Sequence, residues 1–208
     1  ITRSFNAGAV TVAQKGYGGV GGIAGVLKSA AISDCYNTGT ITAAGDDIGG
    51  IAGYTSQEIK NCYNTGAVTG TGAKNGVGGI VGRLSSAVSS YSNGKITGCL
   101  NTGAVTATSG TAAGAIVGQK TTANAAITRS YFKAGTCTQA IGGNPADGDE
   151  AALATEAECG SKRLIGLLGG AFAAGSDGKL TLNWQDPAAK PVVTFVTPEG
   201  AAVTIEGK

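Results

Sequence analysis

The 208-residue chain sets 15 Lys and Arg against 13 Asp and Glu, and its basic residues are scattered singly, so the electrostatic footprint of a nucleic-acid binder is missing. Apolar residues make up 42 % and charged residues 13 %, with 37 Gly, 4 Pro, no Met and no His; this is too apolar for disorder, and glycine without a G-X-Y period excludes collagen. No apolar run approaches the roughly 20 residues of a membrane helix and no charged-then-apolar leader opens the chain. The lack of any Met predicts a piece of a longer, processed protein.

From the N-terminus, five units align on a turn Asn: Ser4-Phe5-Asn6-Ala7-Gly8, Cys35-Tyr36-Asn37-Thr38-Gly39, Cys62-Tyr63-Asn64-Thr65-Gly66, Cys99-Leu100-Asn101-Thr102-Gly103 and Ser130 to Gly135, where Lys133 takes the Asn position. Each continues with a small residue, an apolar residue and Thr: Ala9-Val10-Thr11, Thr40-Ile41-Thr42, Ala67-Val68-Thr69, Ala104-Val105-Thr106 and Thr136-Cys137-Thr138. A glycine-marked strand follows, as in Val20-Gly21-Gly22-Ile23, Ile48-Gly49-Gly50-Ile51, Val77-Gly78-Gly79-Ile80 and Ala113-Gly114-Ala115-Ile116, with a curtailed Ile141-Gly142-Gly143.

A period of roughly 27 to 37 residues, made of short β-branched runs between Gly and Asn corners, predicts an all-β parallel β-helix or β-solenoid of about five short coils over residues 1–144. Val10, Ile41, Val68, Val105 and Cys137 should stack inside, as should Ile23, Ile51, Ile80 and Ile116. Asn6, Asn37, Asn64 and Asn101 should form a ladder at a corner, in a conformation that tolerates the left-handed region. The paired glycines let backbone approach backbone where a Cβ would clash. The Ser-rich passage from Leu84 to Lys95 reads as a surface loop.

Beyond Asn144-Pro145 the signal becomes helical. Thr155 and Glu158 form a capping box, Ala157, Leu164, Ile165 and Leu168 share a face, and Gly169-Gly170 can close the far end. Residues 145–186 are therefore expected to cap the solenoid and finish in the strand Leu180 to Trp184. Pro187 to Pro191 reads as a linker, and Val192–Thr197 and Ala201–Ile205 as a partial hairpin of a following module within 187–208.

The unit Cys62-Tyr63-Asn64-Thr65-Gly66 with its later Gly-Gly-Ile-x-Gly run resembles the GLUG motif repeats of large secreted and wall-attached bacterial proteins. These include adhesin-like proteins and the non-catalytic region of immunoglobulin A1 proteases. The resemblance covers residues 1 to about 143, and the closing residues 193–208 resemble the opening of a bacterial immunoglobulin-like surface module. It implies an extracellular, cell-surface or secreted protein with a structural or adhesive role, or an accessory region of a secreted peptidase, with a host or cell-wall glycan or protein as partner and no cofactor.

Three columns invite a chemical reading. Cys35, Cys62 and Cys99 recur at one position, as small core residues do; repeat-length spacing and the absence of His speak against zinc. Phe5, Tyr36, Tyr63 and Tyr131, with Leu100 interrupting, lie one residue later; exposed, they are a ligand-binding ladder for a glycan, and packed inside or under a loop they are structural. The irregular placing of Ile32, Ile59 and Ile96 favours the structural arrangement. Thr11, Thr42, Thr69, Thr106 and Thr138 form an outward Thr column that suits an exposed strand and also an ice or polysaccharide surface. Asp34, Asp46, Asp47 and Glu58 do not recur in one column, and a serine mechanism lacks its His, so no catalytic residue is expected. The acidic run Asp147-Gly148-Asp149-Glu150 is too short for a recognised calcium loop and reads as a helix cap.

Overall fold

The computed structural model describes residues 1–13, 18–72, 75–86, 94–108, 111–146, 148–155, 158–175, 179–185, 190–196 and 202–206. Among the described residues the protein is nearly all β, with 48 % strand and one short helix. Two compact units divide it, Ile1–Leu153 and Ala154–Lys208.

In the first unit each of the first four repeats contributes one strand to each of five parallel sheets and the fifth repeat contributes to two of them, each strand bonding to its counterpart in the neighbouring repeat. The asparagine sheet contains Phe5–Asn6, Tyr36–Asn37, Tyr63–Asn64, Leu100–Asn101, Ser130–Lys133 and Ala151–Ala154. The threonine sheet contains Val10–Val12, Ile41–Ala43, Val68–Gly70 and Val105–Ala107, and the glycine sheet Gly19–Gly21, Asp47–Gly49, Gly76–Gly78 and Ala112–Gly114. A return sheet contains Ala24–Leu27, Ala52–Thr55, Val81–Leu84, Val117–Lys120 and Ile141–Gly143, and a corner sheet Ile32–Ser33, Glu58–Lys60, Lys95–Thr97 and Ala126–Thr128. The pairing runs past Asn144, where the sequence repeat ends, because Ala151–Ala154 adds a sixth strand beside Ser130–Lys133.

The register pairs Leu100 with Tyr131 and Asn101 with Phe132. Phe132, and not Lys133, therefore stands in the Asn position of the fifth repeat, the extra residue of that unit falling after the strand. The ladder Asn residues are likewise not left-handed. That conformation belongs to the column three residues earlier, Arg3, Asp34, Asn61, Gly98 and Arg129, with φ between 46° and 60°. One left-handed residue between two inward positions explains how Ile32 and Cys35, Ile59 and Cys62, and Ile96 and Cys99 are all buried despite a spacing that simple alternation forbids.

The apolar columns are buried as expected in the middle repeats: Ile41, Val68, Ile51, Ile80 and Ile116 are fully enclosed, while Val10, Ile23 and Cys137 at the ends are half-buried. They form two cores instead of one. Ile41, Ile48, Val68, Val77 and Val105 make one cluster, and Ile32, Cys35, Ile51, Ile59, Cys62, Ile80, Val81, Leu84, Ile96, Cys99, Ile116 and Ile127 belong to the other. The glycine and return sheets separate them by lying backbone to backbone. A Cβ on Gly53 would stand 2.3 Å from Val20 N, one on Gly82 2.3 Å from Ile48 N, and one on Gly118 2.3 Å from Val77 N. No side chain fits between these sheets, so each sends its apolar residues to the side facing away from the contact.

The second unit holds the helix Lys162–Leu168, with Leu164, Ile165 and Leu168 buried as the periodicity predicts. Its N-cap is Ser161, whose hydroxyl accepts from Leu164 N, and Gly169 N donates to Ile165 O at the far end. The capping-box residues form a separate turn just ahead of the helix, Thr155 donating from N and Oγ1 to Glu158 Oε2 at 2.9 Å each. Ala157 lies outside the described residues, as does most of the Ser-rich passage. An antiparallel sheet runs in the order Leu180–Leu182, Phe172–Ala174, Lys190–Val196, Ala202–Glu206. The hairpin strands thus share a sheet with Phe172–Ala174 and Leu180–Leu182; of the expected linker, residues 187–189 lie outside the described residues and Lys190 and Pro191 belong to a strand.

Candidate functional site

The residues that mark the repeat converge on the asparagine sheet. Asn6 Nδ2 donates to Asn37 Oδ1 at 2.8 Å, Asn37 to Asn64 at 2.7 Å and Asn64 to Asn101 at 2.8 Å. The second amide hydrogen of each goes to the carbonyl two residues on: Gly8, Gly39, Gly66 and Gly103 at 2.7 to 2.9 Å. Asn37, Asn64 and Asn101 are fully buried. The second glycine of each Gly-Gly pair makes room for them, since a Cβ on Gly50 would lie 2.5 Å from Asn64 Cγ and one on Gly79 2.3 Å from Asn101 Cγ. The Asn and the glycine pair, far apart in sequence, are two halves of one contact.

The aromatic column occupies the opposite face of the same strands. Phe5 and Tyr36 stack with ring centroids 5.1 Å apart and planes 6° from parallel, and Tyr36 and Tyr63 at 5.0 Å and 2°. Phe5 is exposed at 58 %, Tyr36 is half-buried and Tyr63 is buried at 6 %. Leu100 is buried and Tyr131 half-buried, in register at the far end of the column. The column is thus neither wholly inside nor wholly displayed. Its ring faces are turned toward one another, which leaves edges and hydroxyls as the surface of Tyr36 and an open face at the outer side of Phe5.

Cys35, Cys62 and Cys99 are buried thiols in the larger core, and none forms a disulfide. The neighbouring Cys62 thiol holds Cys35 down to about 7. Burial pushes Cys62 itself well above the usual thiol value. Enclosure denies Cys35 the access that a reactive thiolate needs. In the Thr column, Thr11, Thr42 and Thr106 are exposed, and the Oγ1 atoms of Thr69 and Thr106 are 3.2 Å apart.

Two charged pairs were not apparent from the repeats. Arg83 donates to Asp47 Oδ2 from Nε at 3.2 Å and Nη2 at 2.9 Å, and its guanidinium carbon stands 4.8 Å from the Tyr54 ring centroid. Asp47 is buried and its Oδ1 meets no hydrogen-bond donor among the described residues. Burial raises its pKa above the usual aspartate value, against the opposing pull of Arg83 and the Asn75 amide. In the second pair, Lys120 Nζ donates to both oxygens of Asp149 at 2.8 and 2.7 Å, with Lys120 only 1 % exposed. Asp149 Oδ2 also accepts from Ala146 N, and Glu150 Oε2 from Arg129 N, so the described carboxylates of the acidic run are held by protein donors. Asp147 lies outside the described residues. No group of three or more Cys, Asp or Glu side chains gathers as metal ligands do among the described residues.

The Asp47 shift has a direction that can be measured. A carboxyl whose folded-state pKa is raised binds its proton more readily in the folded protein, so its contribution to stability is full below the unfolded value of 3.8 and is lost as pH rises through the folded value. Urea unfolding at pH 4 and pH 7 should therefore show wild type gaining on Asp47→Asn as pH falls; an unchanged or opposite difference would contradict the shift.

Residues 45–69, which run from the glycine-sheet strand of the second repeat to the threonine-sheet strand of the third, match the family model described as the GLUG motif. Neither the curated proteins nor the solved structures provide a significant match.

Proposed function

We propose that residues 1–153 form a parallel β-helix serving as a non-enzymatic structural or adhesive module of a bacterial cell-surface or secreted protein. The observation that carries this reading is that the signature residues are spent on one another. Asn amides bond Asn amides, rings stack on rings, and glycines admit backbone, so the repeat's most distinctive chemistry is internal to the stack. The GLUG motif at residues 45–69 supports placement among surface or secreted bacterial proteins. Antibody raised against the chain should label intact cells of the source bacterium or precipitate the protein from its medium. Signal confined to lysed cells would overturn the placement.

A second reading, binding of a glycan or partner protein through the aromatic column, is favoured by one observation, the open ring face of Phe5. C–H/π contact with a sugar needs such a face, and stacking leaves Tyr36 and Tyr63 little to offer. On a glycan array the structural reading expects no binding that depends on these rings. A sugar retained by wild type, lost with Phe5→Ala and kept with Tyr63→Leu would establish the second reading instead.

A further inference from the structure

The position just ahead of the aromatic column carries Ser4, Cys35, Cys62, Cys99 and Ser130, and the side chains of all five hold one orientation. Each donates to the carbonyl two residues before it: Ser4 Oγ to Thr2 O at 2.9 Å, Cys35 Sγ to Ser33 O at 3.1 Å, Cys62 Sγ to Lys60 O at 3.2 Å, Cys99 Sγ to Thr97 O at 3.5 Å and Ser130 Oγ to Thr128 O at 3.1 Å. The contact with the preceding repeat is reproduced as well, Cys35 Sγ lying 3.9 Å from Ile1 O and Cys99 Sγ 3.9 Å from Ile59 O. Side chains in one orientation on in-register parallel strands are copies displaced by the strand spacing, so successive sulfurs stand about 4.8 Å apart.

That separation selects the chemistry. The Cβ atoms, also about 4.8 Å apart, lie beyond the roughly 3.5–4.5 Å that a disulfide spans. A tetrahedral ion needs four ligands around one point, and this column is a line in which only two sulfurs flank any point between repeats. A gap between two stacked sulfurs suits a soft closed-shell cation that takes two thiolates on opposite sides. Charge then separates the candidates. The three thiols are fully buried beside Ile32, Ile59, Ile96 and Phe132, and each must shed its proton to bind. A monovalent ion between two thiolates leaves a net negative charge in that core, whereas a divalent ion leaves none. The Cys62 thiol already holds Cys35 down to about 7, and the proton that burial keeps on Cys62 is displaced by the ion's own charge.

We propose that Cys35, Cys62 and Cys99 form a binding site for one soft divalent cation, held linearly between two neighbouring sulfurs, with Cys62 common to both pairs. Two S–H bonds break, two sulfur–metal bonds form and both protons leave to solvent. Ser4 and Ser130 end the site, because a hydroxyl is a poor ligand for a soft ion. A second ion would bring four positive charges against three thiolates, which the apolar core excludes. The site rests on the parallel stack and is independent of where the protein resides.

The test uses mercuric ion as the probe. The chain is refolded from urea with one equivalent, so that the ion is present while the core closes, and is then dialysed against excess monothiol. A monothiol strips mercury from single cysteines and competes poorly with two thiols already in place. Wild type should retain one mercury by intact mass. Cys62→Ala, which breaks both pairs, should lower retention roughly tenfold or more, whereas Cys35→Ala should keep the ion through Cys62 and Cys99. The second variant makes the same truncation in the same core, so a loss confined to Cys62→Ala is a loss of ligands and not of folding. Mercury stripped from wild type, retention unaffected by Cys62→Ala, or retention lost with Cys137→Ala or Cys159→Ala would each overturn the site. Mercury X-ray absorption should report two sulfur neighbours, and three or more would overturn the linear arrangement.

Discussion

Asn64→Ala should lower the unfolding free energy by about 3–5 kcal/mol, whereas Asn6→Ala should cost about 1 kcal/mol or less. The two residues share an aromatic-Asn-x-Gly context and donate the same two bonds, one to the next Asn and one to the glycine carbonyl two residues on. They differ in position: Asn64 lies in the middle of the ladder, fully buried, and Asn6 at its solvent-facing end. Truncating Asn64 takes the acceptor from Asn37 Nδ2 and the donor from both Asn101 Oδ1 and Gly66 O. Asn37 Nδ2 and Gly66 O lose that bond, at roughly 1–3 kcal/mol each, and Asn101 Oδ1 keeps only Gly103 N at 3.2 Å. Asn64→Asp should be nearly as damaging, because a carboxylate cannot donate to Asn101 or Gly66. Urea midpoints of the variants decide the matter, and equal losses at positions 6 and 64 would mean that the ladder does not stabilise cooperatively.

Much of this arrangement is readable from the residues because a stacked repeat obliges each column to repeat its chemistry. The Asn column, the apolar columns and the close approach at the glycines follow from that constraint alone. The division into two cores does not, because it depends on which glycine faces which backbone, and Gly53 against Val20 is a contact between different repeats. The left-handed corner was obscured for a related reason. Arg3, Asp34, Asn61, Gly98 and Arg129 share a backbone conformation and no side-chain type, so the column has no sequence signature, whereas the ladder Asn residues have one and drew the corner to themselves. Phe132 was misplaced by a one-residue insertion that only register could resolve. The aromatic column fell between its two expected states because its exposure depends on position along the stack: Phe5 has a neighbour on one side and Tyr63 on both. The pairing of Asp47 and of Lys120 has no repeat signature because each breaks its column. Gly19, Gly76 and Ala112 align with the first, and Leu84 with the second.

That misfit makes Lys120 the place for the other large effect. Its column in the return sheet reads Leu27, Thr55, Leu84, Lys120, so an ammonium group enters a position that the preceding repeat fills with a fully buried Leu. The carboxylate that neutralises it comes from Asp149, beyond the last repeat, and Asn144 Nδ2 adds a bond to Lys120 O at 2.9 Å. The pair therefore fastens the segment after the repeats to the return-sheet strand Val117–Lys120. Asp149→Ala should cost about 3–5 kcal/mol, since it leaves a buried ammonium without its counter-charge. The double variant Lys120→Leu with Asp149→Ala should recover most of that loss, because Leu suits the column and no charge remains to be desolvated. Thermal unfolding of wild type, single and double variants forms the cycle that separates the two effects. If the double variant is as unstable as Asp149→Ala alone, the ion pair contributes attachment that an apolar contact cannot replace, and Lys120 is there for the clasp; if stability returns, the charge pair sets which segment closes the stack without adding to how firmly it is held.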